Sequence, residues 1–228
     1  MRLFLIRHAD PDYARDDLTP AGRREAEALG RRVAALAPTH LYVSTLGRAR
    51  ATAAVLARAV GRSPVEDGRL DELDWHVEDA QWGRLSAWDV PGETVRTATE
   101  PGAVRAFAEG VARVHAFSDE LLARHGYVRE GGRYRVERRN DDRVAVVGHG
   151  GLMLTWLPHL LALPVDRVWC GFWLPPSSVT TVVLEERSDP WATPRCVGLG
   201  DVSHLYADGL VPSTSGLHGR GHRPPGHP

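Results

Sequence analysis

Lysine is absent from this chain of 228 residues: all 28 basic residues are arginine. Isoleucine and asparagine occur once each, at Ile6 and Asn140. Codon bias toward GC-rich codons accounts for this pattern, so arginine abundance carries no functional signal and each arginine has to be judged by position. Charge of one sign is also missing. A formal net charge of −1 gives no global attraction for nucleic acid or for an anionic membrane surface. The only cysteines are Cys170 and Cys196. They have neither C-x-x-C nor metal-ligand spacing, and a reduced, cytoplasmic location is expected. Long apolar runs are missing as well. Four apolar residues precede Arg7, too few for a signal-peptide core. The greasiest later stretch, "GLMLTWLPHLLALPV", is interrupted by Thr155, Pro158 and His159 and is too short to span a bilayer.

What remains is a soluble globular composition, 43% hydrophobic and 25% charged, on a chain long enough for one sizeable domain. Strand and helix signals alternate. Residues 2–6, 40–44 and 143–149 read as buried strands, and 177–186 and 194–199 as further strands. Residues 18–36, 46–60, 103–125 and 151–163 read as helices. Thr19 is a candidate N-cap with Pro20 at the first helical position, and Gly131-Gly132 marks a hairpin turn. Alternation of this kind predicts an α/β fold: a three-layer sandwich with a mainly parallel central sheet and helices on both faces. From about residue 206 the composition shifts to Gly, Pro, Ser and His. Residues 1–205 are therefore expected to form the folded domain and 206–228 a mobile tail. His218, His222 and His227 in that tail favour disorder over a metal site.

Two segments share one grammar. "LFLIRHAD" and "VAVVGHGG" are each an apolar strand ending in a histidine. Ligands of open parallel sheets bind outside the carboxyl ends of the strands, so parallel neighbours would deliver His8 and His149 to one edge. Arg48, in the first turn of the helix after "LYVS", should reach the same edge. Arg50 and Arg58 fit a solvated helix face.

These residues resemble the histidine phosphatase superfamily, which includes phosphoglycerate-mutase-like enzymes. The matching elements are Arg7-His8 after a strand, "LTPAGRREA", "STLGRARATA", "RLDE" and His149-Gly150-Gly151, in the family's order. "SHL" at 203–205 is a sixth candidate. The resemblance implies that His8 is the nucleophile toward phosphorus, with its second ring nitrogen held by a backbone carbonyl. It implies that Arg7, Arg48 and His149 bind the phosphoryl oxygens, His149 as a cation once phosphate is present. Glu72 would be the proton donor, in competition with Asp71, Asp74, Glu78 and Asp79. No metal and no cofactor is implied. Ala9 replaces the family's usual glycine, Ala14 an asparagine that often helps hold phosphate, and the glycine-tryptophan pattern after the acid is lost.

The expected activity is that of a metal-independent phosphomonoester hydrolase acting on a small molecule, with no nucleic-acid or membrane partner. A phosphoglycerate-type mutase and an inactive relative binding a phosphorylated ligand or protein are the alternatives. Residues 73–103 carry Trp75, Trp82 and Trp88, with Arg84 and Arg96 outnumbered by acids. That stretch favours hydrolysis of a substrate bearing an apolar or aromatic group over a mutase, which must hold a polyanion. Nothing in the sequence speaks to oligomeric state.

Overall fold

The computed structural model describes residues 1–74, 76–79, 83–86 and 105–217, with backbone alone for 76–79, 83–86, 105–107 and 166. The strands are β1 (Arg2–Arg7), β2 (Pro11–Asp12), β3 (Asp17–Leu18), β4 (His40–Val43), β5 (Val65–Glu66), β6 (His76–Asp79), β7 (Gly83–Ser86), β8 (Tyr127–Glu130), β9 (Arg133–Val136), β10 (Arg143–Gly148), β11 (Val179–Ser188) and β12 (Trp191–Asp201). The α-helices are α1 (Pro20–Leu36), α2 (Gly47–Val60), α3 (Arg105–Arg124), α4 (Gly150–Leu161), α5 (Val165–Gly171) and α6 (Ser203–Ala207). Trp75, Trp82, Trp88 and Arg96 lie outside the described residues, as does the tail from residue 218.

Eight strands form one mixed sheet in the order β5-β4-β10-β1-β11-β12-β9-β8. β5, β4, β10 and β1 run parallel. From β11 outward the pairing is antiparallel. The parallel half holds every strand-to-histidine motif, and the expected hairpin at Gly131-Gly132 joins β8 to β9 at the antiparallel edge.

The period-2 alternation of strand side chains divides the core. Leu3 and Leu5 of β1, with Val144 and Val146 of β10, pack under α3, α4 and α5. Phe4 and Ile6, with Ala145 and Val147, pack under α1 and α2. Strands covered on both faces become continuous apolar runs, which is why "LFLI" and "VAVV" contain no polar residue. Burying each such Leu, Ile or Val contributes roughly 1.5–3 kcal/mol. These runs end at Arg7 and Gly148.

Thr19 caps α1, its side chain accepting from Gly22 N, with Pro20 at the first helical position. A Cβ on Gly22 would lie 2.1 Å from Asp10 O, so this glycine lets α1 approach the loop that follows His8.

Candidate active site

The register sets the site. Arg7 is paired with Gly148 across β1 and β10, so the residues that follow, His8 and His149, leave the sheet side by side. Their rings are 5.2 Å apart, tilted by 59°, and both are buried. β4 ends one strand further along and places Ser44 beside them, its N–H bonded to Val147 O.

His8 Nδ1 lies 2.8 Å from Ala9 O. A carbonyl only accepts, so the proton sits on Nδ1 and the lone pair on Nε2. Arg48 Nε–H points at that lone pair from 3.3 Å. Burial first, then the charges of Arg7 and Arg48, push the His8 pKa well below the ordinary histidine range. The ring is therefore neutral with one nitrogen exposed to an arginine-lined space. Ala9 is fully buried and its N–H donates to Thr52 Oγ1 at 3.1 Å. Its φ is not positive, so the departure from glycine costs no backbone strain.

Arg48 is aimed by Asp16, which accepts from Arg48 Nη1 at 2.5 Å and from Gly47 N at 2.6 Å. Arg7 is held by Leu174 O, 2.5 Å from Nη1, and by Ser215 O, 3.3 Å from Nη2. Its Nε is buried without a partner among the described residues. The ring of Tyr13 lies 5.5 Å from the Arg48 guanidinium and that of Trp173 5.9 Å from Arg7. Arg50 donates to Glu66 at the surface, and Arg58 pairs with Glu27 at 3.5 Å. Neither belongs to the site.

His149 has a relay behind it. Ser44 Oγ donates to Asp71 Oδ1 at 2.7 Å and lies 2.7 Å from His149 Nε2. With its hydrogen given to the carboxylate, the hydroxyl accepts from His149 Nε2–H. His149 Nδ1 is left buried and without a partner among the described residues. Burial, then His8, Arg48 and Arg7, hold this ring well below the ordinary range, so it is neutral in the free protein. Arg113 pins the turn that carries Asp71, donating to Gly68 O at 3.1 Å and Asp71 O at 2.8 Å.

Glu72 sits on the N-terminus of α4, accepting from Gly151 N at 3.1 Å and Leu152 N at 2.9 Å. Burial pushes its pKa up, against the pull of these N–H groups and of Arg7. Both glycines of "HGG" are close-approach positions. A Cβ on Gly150 would lie 3.4 Å from Arg7 Cζ, and one on Gly151 2.8 Å from Glu72 Oε1 and 2.7 Å from Trp169 Cη2. Among the rival acids, Asp71 faces Ser44 and Thr45, and Glu78 and Asp79 are described in backbone only.

The structure thus gathers Arg7, His8, Arg48, Glu72 and His149 at one sheet edge. Sequence reasoning missed Asp16, Ser44, Asp71 in its positioning role, Tyr13 and the two carbonyls on Arg7. His204 of the "SHL" segment is buried in α6 with both ring nitrogens unpartnered among the described residues, its pKa pushed down to about 4 by burial. The beginning of the expected mobile tail reaches the site. Ser215 O meets Arg7, and Ser213 Oγ donates to Asp10.

Known proteins resemble this chain in sequence and in fold. A Klebsiella pneumoniae protein named "Probable phosphoglycerate mutase GpmB" is 30% identical, covering 92% of this chain and 97% of its own. A solved structure titled "Mycobacterial hydrolase 1" is 27% identical with a TM-score of 0.61, covering 88% of this chain and 98% of its own. A mycobacterial glucosyl-3-phosphoglycerate phosphatase is 26% identical with a TM-score of 0.60, covering 87% and 98%. With residues 3–193 matching the family across nearly the whole sheet and all five gathered residues, the chain belongs to the histidine phosphatase superfamily (branch 1).

Proposed function

We propose that the protein hydrolyses small phosphomonoesters through a phosphohistidine on His8. The observation that carries this reading is the His8 ring: Nδ1 tied to Ala9 O, Nε2 bearing a lone pair in a space lined by Arg48. In the first step the Nε2 lone pair forms a bond to phosphorus as the ester P–O bond breaks. Arg7 Nε, Arg48 and His149 Nδ1 take the three peripheral oxygens, and an incoming dianion raises the proton affinity of His149 so that it donates. Glu72 gives its proton to the departing ester oxygen. In the second step water attacks phosphorus, Glu72 takes its proton, and the P–N bond breaks to restore His8 and release phosphate. Two guanidiniums and an imidazolium supply the charge stabilisation the reaction needs, so no step calls for a metal.

Hydrolysis rather than mutase activity is favoured by the surroundings of the arginines. Tyr13 and Trp173 flank them with aromatic faces, surfaces suited to a substrate with an apolar or aromatic group. A mutase needs further cations to hold a doubly phosphorylated substrate. The mycobacterial phosphatase at 26% identity is consistent with this choice. A cytoplasmic setting belongs to the same proposal, with residues 1–205 as the catalytic domain. Among the described residues no helix is long and apolar enough to cross a membrane.

Acid-labile, base-stable phosphate should be trapped on the wild-type protein during turnover of p-nitrophenyl phosphate, and be absent from His8→Ala. Phosphate on a serine or aspartate would overturn the mechanism. Isomerisation of 3-phosphoglycerate in the presence of 2,3-bisphosphoglycerate, without phosphate release, would replace the hydrolase by the mutase.

A further inference from the structure

At the opposite end of the same strands, three side chains far apart in sequence meet. His40 opens β4, His125 follows the last residue of α3, and Asp142 immediately precedes β10. One nitrogen of each imidazole and one carboxylate oxygen lie within 4.8 Å of one another. Sequence spacing could not reveal this cluster, because no two of its members are near neighbours in the chain. We propose that His40, His125 and Asp142 bind a divalent transition metal of the zinc type, as a structural tie between β4, α3 and β10.

The hydrogen bonds behind each ring set both tautomers for ligation. Asp142 Oδ2 lies 2.7 Å from His125 Nδ1. The ion would take the place of the proton between these two atoms, so His125 ligates through Nδ1 while its Nε2–H faces the Tyr42 hydroxyl at 3.5 Å. Thr39 Oγ1 donates to Arg143 O at 3.2 Å and accepts from Arg143 N at 2.9 Å. Its 2.9 Å contact with His40 Nδ1 is therefore one in which the ring donates, and His40 Nε2 is open as well. An oxygen partner behind each imidazole is the outer shell that orients metal-bound histidines and raises their basicity.

The rings stand 4.7 Å apart and nearly perpendicular, at 82°, so neither blocks the other's access to a common point. Ligand atoms of a tetrahedral ion with bonds of about 2.1 Å stand about 3.4 Å apart. Closing the 4.8 Å span by up to about 1.4 Å brings the cluster into that range, and His40, being exposed, can move to supply it. His40 also lines an open depression with Gly61, Arg62 and Val65, which gives an ion a way in. His125 sits at the C-terminal end of a 20-residue helix, where the backbone carbonyls favour a cation. β10 separates the cluster from His149 by six residues, about 20 Å at 3.3 Å per residue, so the ion would act on stability and not on turnover.

The test is calorimetric titration of zinc chloride into the full chain carrying His218→Ala, His222→Ala and His227→Ala, which removes tail histidines as competitors. One equivalent should bind, and Tm should rise by about 5–10 °C at a hundredfold excess over Kd. Adding His40→Ala, an exposed position that leaves the core intact, should weaken binding at least tenfold and abolish the Tm rise. Turnover of p-nitrophenyl phosphate should be the same with and without the ion. Absence of binding in the tail variant, or binding that His40→Ala weakens less than tenfold, would overturn the proposal. The second outcome would place the ion elsewhere, at His8 and His149 for example.

Discussion

A histidine pair stands at each end of β4, β10 and β1, and the two pairs have surroundings of opposite charge. At the carboxyl end, His8 and His149 face Arg7 and Arg48. Polar atoms are left open there: Arg7 Nε and His149 Nδ1 are buried with no partner among the described residues. At the amino end, His40 and His125 stand with Asp142, and a hydroxyl oxygen, of Thr39 or Tyr42, backs each ring. A buried polar group without a partner destabilises a fold by about 1–3 kcal/mol. Such groups persist where a ligand completes them. Cations and open donors together call for an anion; neutral imidazoles backed by oxygen call for a cation. One scaffold thus presents opposite electrostatic characters about 20 Å apart, beyond the Debye length of about 8 Å at physiological salt.

After the nucleophile itself, the arginines should give the largest effect. Each supplies charged donors, and loss of a single neutral oxyanion donor already costs about 10²–10³ in rate. Arg7→Ala and Arg48→Ala should each lower kcat/KM by roughly 10³ or more. Arg50→Ala, two residues along α2 and paired with Glu66, should stay within about twofold, as surface pairs contribute little. Equal losses at Arg48 and Arg50 would dissolve the contrast between the ends.

Glu72→Gln comes next. Burial raises the proton affinity of its carboxyl, the direction a proton donor needs. The loss should be about a hundredfold or more for alkyl phosphates. It should be much smaller for p-nitrophenyl phosphate, whose leaving group hardly needs a proton. A uniform loss across both substrates would remove Glu72 from the donor role, and the same pair of substrates on Asp74→Asn would then locate the true donor.

The sequence and the structure agree best where the chain is most constrained. Strands buried on both faces are apolar runs, so β1 and β10 could be bounded from composition alone. Once they are parallel neighbours, the residues following them must share an edge. The antiparallel half was less readable: β11 and β12 carry strand signals, but nothing local in "SSVTTVVLEE" sets the direction in which it pairs. The site divides in the same way. His8, Arg48 and His149 could be placed because they follow regular elements. Asp16, which aims Arg48, lies in a loop with positive φ (48°), and Leu174 and Ser215 act through carbonyls that any residue has. Ser44 and Asp71 are 27 positions apart, and only the folded loop makes them a relay.

That relay gives a smaller, sharper test. Asp71 holds the Ser44 hydrogen, and Ser44 in turn accepts from His149 Nε2–H. Outer-shell groups of this kind change function by about 10–100-fold. Ser44→Ala should lower kcat/KM about tenfold. It should also move the alkaline limb of the kcat profile to lower pH, because the bound-state imidazolium loses its acceptor. Asp71→Asn should shift the limb in the same direction. A drop in kcat with an unmoved limb would mean that Ser44 only packs.

The last contrast separates the ends by stability and not by turnover. Glu25 of α1 lies beneath the catalytic edge, 3% exposed, accepting from Asp10 N at 2.9 Å and from Ser177 Oγ at 3.2 Å. Burial, reinforced by the nearby Asp10, pushes its pKa up to about 7 against these hydrogen bonds. A carboxyl whose pKa is raised on folding gives stability that is fully present below its unfolded value and lost as pH rises through the folded one. Between about pH 4.5 and 7, Glu25 should therefore withdraw on the order of 3 kcal/mol. Asp142, at the amino end, has the opposite sign. Burial would raise it, but the His125 hydrogen bond, with the fields of His125, His40 and Arg138, carries it below the ordinary carboxylate range. Its contribution is present above the unfolded pKa and lost as pH falls through the folded one. Urea unfolding from pH 3 to 8 should show both limbs in the wild type. Glu25→Gln should remove the decline between pH 4.5 and 7 and leave the acid limb, whereas Asp142→Asn should shrink the acid limb alone. If Glu25→Gln leaves the decline in place, the carboxyl under the catalytic edge is ionised throughout, and Ser213 and Asp10 are packed against a buried charge.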